Sequence, residues 1–282
     1  MGERISTTSD AVLITGCSTG IGRATAMRLA KAGRVVYATA RNTDSLRELA
    51  IAGARCLALD VTDEQSMIDA VEQITRDAGG VSALVNNAGY AVYEPIEEVS
   101  TDVIRAQFET NVVGLVRMTQ LVLPGMRERR RGRIINIGSM GGRMTLPGGG
   151  MYHASKYAVE AISDALRFEV AGFGISVSLI EPGPVLTDFA DEATTATVGS
   201  GPYAQFRATV AARNANAYDP RGSRGTSTAD DIAKVIEKSL TSAHPRSRYL
   251  VGPIAKGMVS AHAILPTSVW DRMLRKQYPP PL

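Results

Sequence analysis

The sequence predicts an α/β fold: a single domain built on a doubly wound parallel sheet of about seven strands, with helices on both faces. Three observations carry this reading. Short apolar runs alternate with longer helical patterns from about residue 11 to residue 252, the order that builds right-handed β–α–β crossovers. Most of the runs lack polar alternation, which suits strands covered on both faces. A chain of 282 residues can bury roughly three quarters of its extended surface, so its core needs neither disulfide nor metal. No linker or repeat divides it, and residues 1–282 read as one domain with a core at about 9–252.

The strands are expected at Ala11–Thr15, Arg34–Ala40, Ala54–Leu59, Ala83–Asn86, Arg133–Gly138, Ile175–Glu181 and Tyr249–Gly252. Helical patterns lie near 20–32, 43–51, 63–77, 101–130, 152–172 and 228–242. Thr62 followed by Gln65 reads as a capping box, and Ser100 with Thr101 and Asp102 can cap the long helix. Two segments interrupt the alternation. Residues 184–227 are rich in Gly and Thr and carry Phe189, Tyr203, Phe206 and Tyr218; a connection this long reads as a substrate lid. The tail, 253–282, holds Met258, Val259, Ile264, Leu265, Val269, Trp270, Met273 and Leu274, a pattern that suits packing on the body, a partner or lipid.

Composition excludes several classes. The net charge is +3, and residues 127–133 alone contribute +4, leaving the remainder at −1. A broadly basic nucleic-acid surface is therefore not expected. Cys17 and Cys56 have no metal-ligand spacing, which fits a reducing, cytoplasmic setting and no metal site. No run of 18 apolar residues could span a membrane, although peripheral attachment stays open. Gly2 and Ser6 match a loose myristoylation pattern that is common by chance.

The first strand ends in Thr15-Gly16-Cys17-Ser18-Thr19-Gly20-Ile21-Gly22, and an Ala-rich helix follows. Gly16 permits a tight turn, Gly20 lets backbone approach a pyrophosphate, and Gly22 lets helix and strand pack closely. The helix N-terminus then offers free N–H groups and a favourable dipole to phosphate. An NAD site places a carboxylate about 20 residues further on, at the end of the second strand. Here Ala40 ends that strand and Arg41 follows. A guanidinium binds a 2′-phosphate through a charge-assisted fork, so NADP(H) is expected in preference to NAD(H). Asp60, ending the third strand, can accept from an adenine amino group.

Tyr152 and Lys156 stand four apart at the start of a helix and so share a face. A phenol near pKa 10 is a poor proton carrier at neutrality; a neighbouring ammonium stabilises the phenolate and lowers it. Ser139 lies just past the fifth strand, at the sheet edge where ligands bind in such folds.

In this arrangement the sequence resembles the classical short-chain dehydrogenase/reductase family. The match runs through Thr15–Gly22, Asp60, Asn86-Asn87-Ala88-Gly89, Asn111, Ser139, Tyr152-x-x-x-Lys156, Pro182-Gly183 and Thr187, in order and over about residues 9–252. The resemblance implies a Rossmann-like fold and assigns roles. Tyr152 would be the acid/base at the substrate oxygen, and Ser139 would hydrogen-bond that oxygen. Lys156 would bind the nicotinamide ribose and tune Tyr152, and Asn111 would hold a water linking Lys156 to solvent. Asn111 is also a poor helix former in mid-helix, which suits a local distortion. The implied cofactor residues are Gly16, Ser18, Thr19, Gly20, Ile21, Gly22, Arg41, Asp60, Val61, Asn87, Ala88, Gly89, Tyr152, Lys156, Pro182, Gly183 and Thr187. Ser139–Pro147, Tyr152–Lys156 and Ala38–Arg41 resemble the branch holding 17β-hydroxysteroid and retinol dehydrogenases, where Gly138 replaces a second Ser of many relatives.

The expected activity is an NADP(H)-dependent interconversion of an alcohol and a ketone or aldehyde. The lid aromatics point to a bulky apolar substrate such as a steroid, retinoid or lipid. The rivals are a 3-oxoacyl-carrier reductase whose Arg127–Arg133 cluster docks an acidic carrier, and a non-catalytic dinucleotide-binding regulator. Family analogy implies a homodimer or homotetramer through helices 101–130 and 152–172. His153, adjacent to Tyr152, reads as structural or solvated, and Cys17 as a packing residue.

Overall fold

The computed structural model describes residues 10–187, 194–195, 200–218, 225–278 and 280; Gly2, Ser6 and Phe189 lie outside them. All seven expected strands are present. They are β1 (Val12–Ile14), β2 (Val36–Ala40), β3 (Arg55–Ala58), β4 (Ala83–Asn86), β5 (Gly132–Ile137), β6 (Ile175–Pro182) and β7 (Arg248–Val251). They form one sheet in the order β7-β6-β5-β4-β1-β2-β3, every neighbour parallel. The strand order reverses between β1 and β4, which opens a crevice at the carboxyl edge.

Helices cover both faces. They are α1 (Gly20–Lys31), α2 (Arg47–Ile51), α3 (Glu64–Ala78), α4 (Thr101–Phe108), α5 (Gly114–Glu128), α6 (Gly150–Ala171), α7 (Ala204–Tyr218), α8 (Ala229–Thr241), α9 (Pro253–Ile264) and α10 (Thr267–Gln277). Successive β1 residues feed opposite layers. Val12 and Ile14 join Leu29 of α1, Leu49 of α2 and Ile236 of α8, whereas Leu13 joins Ile74 of α3, Met118 of α5 and Val170 of α6. Two apolar layers explain the strands' lack of polar alternation.

Two local expectations are corrected. Asp63, not Thr62, caps α3: its Oδ1 accepts from Gln65 N at 2.9 Å and Ser66 N at 3.2 Å. Thr62 turns back and donates both N–H and hydroxyl to Asp60 Oδ1, because a carboxylate outcompetes a hydroxyl as acceptor. The lid contains a helix, α7, where a loop was expected. The tail folds into α9 and α10, packing Val259 and Trp270 against Met140 and Met144 of the body. Ser100 does cap α4, accepting from Val103 N. Among the described residues no helix is long and apolar enough to cross a membrane.

Three arginines of the cluster stitch the body together. Arg129 donates to Gly79 O and Val81 O, Arg130 to Gly172 O, and Arg133 to Ser239 O and Ser242 O. These guanidiniums hold loop carbonyls that the elements leave unpaired. Arg129→Ala, measured by denaturant unfolding, is expected to lose about 1–2 kcal/mol of stability.

Candidate active site

The glycine turn after β1 is closed from both sides. Gly16 and Gly20 have φ of +69° and +57°, which other residues adopt only with strain. At Gly22 any Cβ would lie 2.2 Å from Gly16 O and 2.5 Å from Asn87 Nδ2. Gly22, in the first turn of α1, thus lies directly against the residues that follow β1 and β4, the close approach of helix to strand end expected for it. Asn87 Nδ2 donates to Thr15 O and Gly16 O, each at 2.9 Å. Thr15 Oγ1 accepts from Asn87 N and Ala88 N at 3.0 Å. The first turn of α1 holds no acidic residue, and Thr19 does not cap it through its side chain, so the N-terminus suits a pyrophosphate. Cys17 is a packing residue as expected: its Sγ donates to Ile14 O, and burial pushes the thiol up to about 12.

Tyr152 and Lys156 come from the first two turns of α6. Lys156 Nζ lies 5.9 Å from the Tyr152 ring centre and donates to Ile137 O at 2.9 Å. Burial alone lowers its pKa from 10.5 to about 8. Ser139 follows β5, and its Oγ accepts from Gly141 N at 3.0 Å. The distortion expected at Asn111 is a π-helical turn, Glu109–Val113. Its amide donates to Tyr90 O and Ser155 Oγ and accepts from Tyr90 N, fixing the turn against α6. His153 is structural: Nδ1 meets Gly141 O and Nε2 accepts from Leu146 N.

One cavity of about 1080 Å³ collects these groups. Gly16, Ser18, Thr19, Gly20, Ile21, Arg41, Asp60, Val61, Asn87, Ala88, Gly89, Ser139, Tyr152, Lys156, Pro182, Gly183 and Thr187 all line it. Gly22 and Asn111 are not in its wall and support it from behind. Thr187 carbons would stand 3.4 Å from a Cβ at Gly20, so the turn after β6 reaches across the glycine loop.

The other end of the cavity was missed in the sequence. Tyr93, Met140, Leu146, Pro147, Ile254, Met258, Gln277 and Tyr278 line it, with Arg213 and Ala217 of α7. The apolar spacing of the tail was the available signal. Of the lid aromatics, Tyr203 and Phe206 are not among the described wall residues: Tyr203 donates to Glu97 at 2.7 Å and packs edge-on with Phe206; Phe189 and the Tyr218 side chain lie outside the described residues.

A family model for short chain dehydrogenase matches residues 10–197. The 3-ketodihydrosphingosine reductase of Bacteroides thetaiotaomicron is 44% identical over 180 residues, 64% of this chain and 65% of that protein. Rat retinol dehydrogenase 16 is 32% identical over 96% of this chain and 89% of its own. The NADPH-dependent 3-dehydrocapnine reductase of Ornithobacterium rhinotracheale is 34% identical over 94% and 95%. Among solved structures, a short-chain dehydrogenase from Streptomyces avermitilis superposes with a TM-score of 0.78 at 32% identity, covering 97% of this chain and 96% of that one. A serine dehydrogenase complexed with NADP+ gives 0.75 at 29%, covering 86% and 95%.

The buried Lys156 charge is a site-specific load on stability. Its folded pKa lies below its unfolded one, so the unfolded chain holds the extra proton between about pH 8 and 10. The penalty is complete below pH 8 and fades as pH rises through that window. Lys156→Met is expected to raise stability at pH 7 by about 1–3 kcal/mol, with the gain shrinking towards pH 10 in thermal melts.

Proposed function

The chain belongs to the short-chain dehydrogenase family of oxidoreductases, and from that premise we propose that it interconverts a bulky apolar alcohol and its carbonyl compound with NADP(H). One observation carries the reading: the glycine turn, Ser139, Tyr152 and Lys156 share a single cavity whose far end is largely apolar.

The cradle fits a nicotinamide dinucleotide. Gly22 admits no side chain against Gly16 O, and the acid-free α1 N-terminus suits its pyrophosphate. When bound, the dinucleotide supplies the hydride to the carbonyl carbon, or accepts it in the reverse direction. During reduction Tyr152 gives its hydroxyl proton to the carbonyl oxygen as that oxygen gains charge. Ser139 Oγ already accepts from Gly141 N, so its own hydrogen is left to bond the same oxygen. Lys156 spends one N–H on Ile137 O and keeps two more, for a ribose hydroxyl and for the field that steadies the phenolate. During oxidation the same groups act in reverse.

Arg41 at the cavity rim, with no carboxylate at the end of β2, supports NADP(H) over NAD(H). The relatives named for 3-ketodihydrosphingosine, retinol and 3-dehydrocapnine support a lipid-like substrate. Arg129 and Arg130 are engaged with backbone carbonyls, which favours this reading over carrier docking by the arginine cluster. Val113, Tyr157 and Phe168 are exposed on the long helices, which supports pairing of two or four copies there.

Tyr152→Phe is expected to lower kcat by about 10²–10⁴-fold while dinucleotide binding persists; unchanged turnover would sink the mechanism. Arg41→Ala should weaken NADPH binding about tenfold or more in a fluorescence titration and leave NADH nearly unaffected. Equal loss for both would contradict the cofactor preference.

A further inference from the structure

Glu160 lies one helical turn beyond Lys156, on the same helix as Tyr152, yet it does not line the cavity. It is 7% exposed, and neither carboxyl oxygen receives a hydrogen bond. Facing it from β6 is Glu181, 1% exposed, close enough for the two carboxyl groups to hydrogen-bond. Two carboxylates are both acceptors, so they bond each other only through a proton.

The surrounding charges are already matched. Arg143, after the Ser139 turn, donates to Glu181 Oε1 at 3.0 Å. Arg248 of β7 donates twice to Asp164, at 3.0 and 2.7 Å. Its Nη2 also stands 2.9 Å from Glu160 Oε2 but aims no N–H at it. Arg167 pairs with the exposed side of Asp164, and Lys156 turns to Ile137 O. Arg143 is thus committed to Glu181, and Arg248, which stands beside Glu160, gives its hydrogen bonds to Asp164. Burial first, and the Glu181 charge second, hold the Glu160 pKa up to about 8.

Three segments of the active site meet on this pair. A Cβ at Gly142 would lie 2.9 Å from Glu160 Cγ and 2.9 Å from Lys156 O, so the turn that follows Ser139 lies flat on Glu160. Glu181 directly precedes Pro182-Gly183. We propose that Glu160 and Glu181 share one proton, and that Glu160 is thereby a positioning residue that holds the Ser139 turn and the Pro182–Gly183 turn against the catalytic helix. The functional part of this rests on the oxidoreductase reading; the shared proton does not.

The test compares the full-length protein with Glu160→Gln, the neutral isostere of the protonated acid. Infrared difference spectra at pH 7 should show a protonated-carboxyl C=O stretch that Glu160→Gln removes. A carboxyl whose folded pKa is raised stabilises fully below its unfolded value near 4.5, and that stability is lost as pH rises to about 8. Between pH 5 and pH 9 the wild type should therefore lose about 5 °C of Tm relative to Glu160→Gln. Glu181→Gln removes the facing charge and should also shrink the pH-dependent loss, which keeps the test open if the first variant fails to fold. In turnover assays Glu160→Ala should lower kcat about tenfold with KM little changed, and Gln should restore it. An unaltered stretch, or Tm curves parallel to wild type in both Gln variants, would overturn the shared proton. A kcat that Gln does not rescue would overturn the positioning role. The first two readouts need no turnover, so they fail separately from the oxidoreductase reading.

Discussion

The bond pair from Asn87 Nδ2 to Thr15 O and Gly16 O closes the first β–α turn onto the end of β4, and the rest of the active edge is referenced to it. The contact works only because Gly22 has no side chain; a Cβ there would stand 2.2 Å from Gly16 O. From β4 the tie continues across the sheet. Asn86 donates to Thr119 of α5 and Asn136 of β5, and Asn136 donates to Ser163 of α6. Ser155 on the same helix accepts from Asn111 in the π-helical turn. A row of buried amides and hydroxyls thus runs from the phosphate end of the cleft to the helix that carries Tyr152 and Lys156. Buried polar groups bonded to one another in this way hold relative positions more tightly than apolar packing does.

The same edge concentrates unfavourable electrostatics. Lys156 and Glu160 are adjacent turns of α6, one a buried cation and the other a buried acid. The helix accommodates them by opposite means. Lys156 finds a backbone carbonyl and a depressed pKa, whereas Glu160 has a raised pKa. Both depart from the values these side chains hold in water, as functional sites commonly require.

Much of the frame was legible in the sequence because its causes are local. Seven apolar runs, positive-φ glycines and a mid-helix Asn each report a backbone demand that neighbours a few residues away impose. Tyr152, Lys156 and Ser139 were legible as a set through spacing and resemblance. What escaped depends on contacts between distant segments. Asp63 displaces Thr62 as a cap only because Asp60 competes for Thr62. The tail reaches the cavity through α9 and α10, and Tyr203 of the lid turns to Glu97. The arginine cluster looked like a surface charge patch, since sequence does not reveal which carbonyls lie within reach. Glu160 looked like one more polar residue on a helix until β6 placed Glu181 against it.

The family match ends at residue 197, but the far wall of the cavity is built from residues 213–278 together with the body. The segment proposed to handle cofactor and proton and much of the one proposed to meet the rest of the substrate are thus separate stretches of chain. Lineages can exchange or drift in the second without disturbing the first. Divergence among relatives should therefore be uneven along the sequence, steep after β6 and shallow before it. In protein engineering, the natural seam for recombining such enzymes runs through the turn after β6, outside the row of amides that keeps the chemistry aligned.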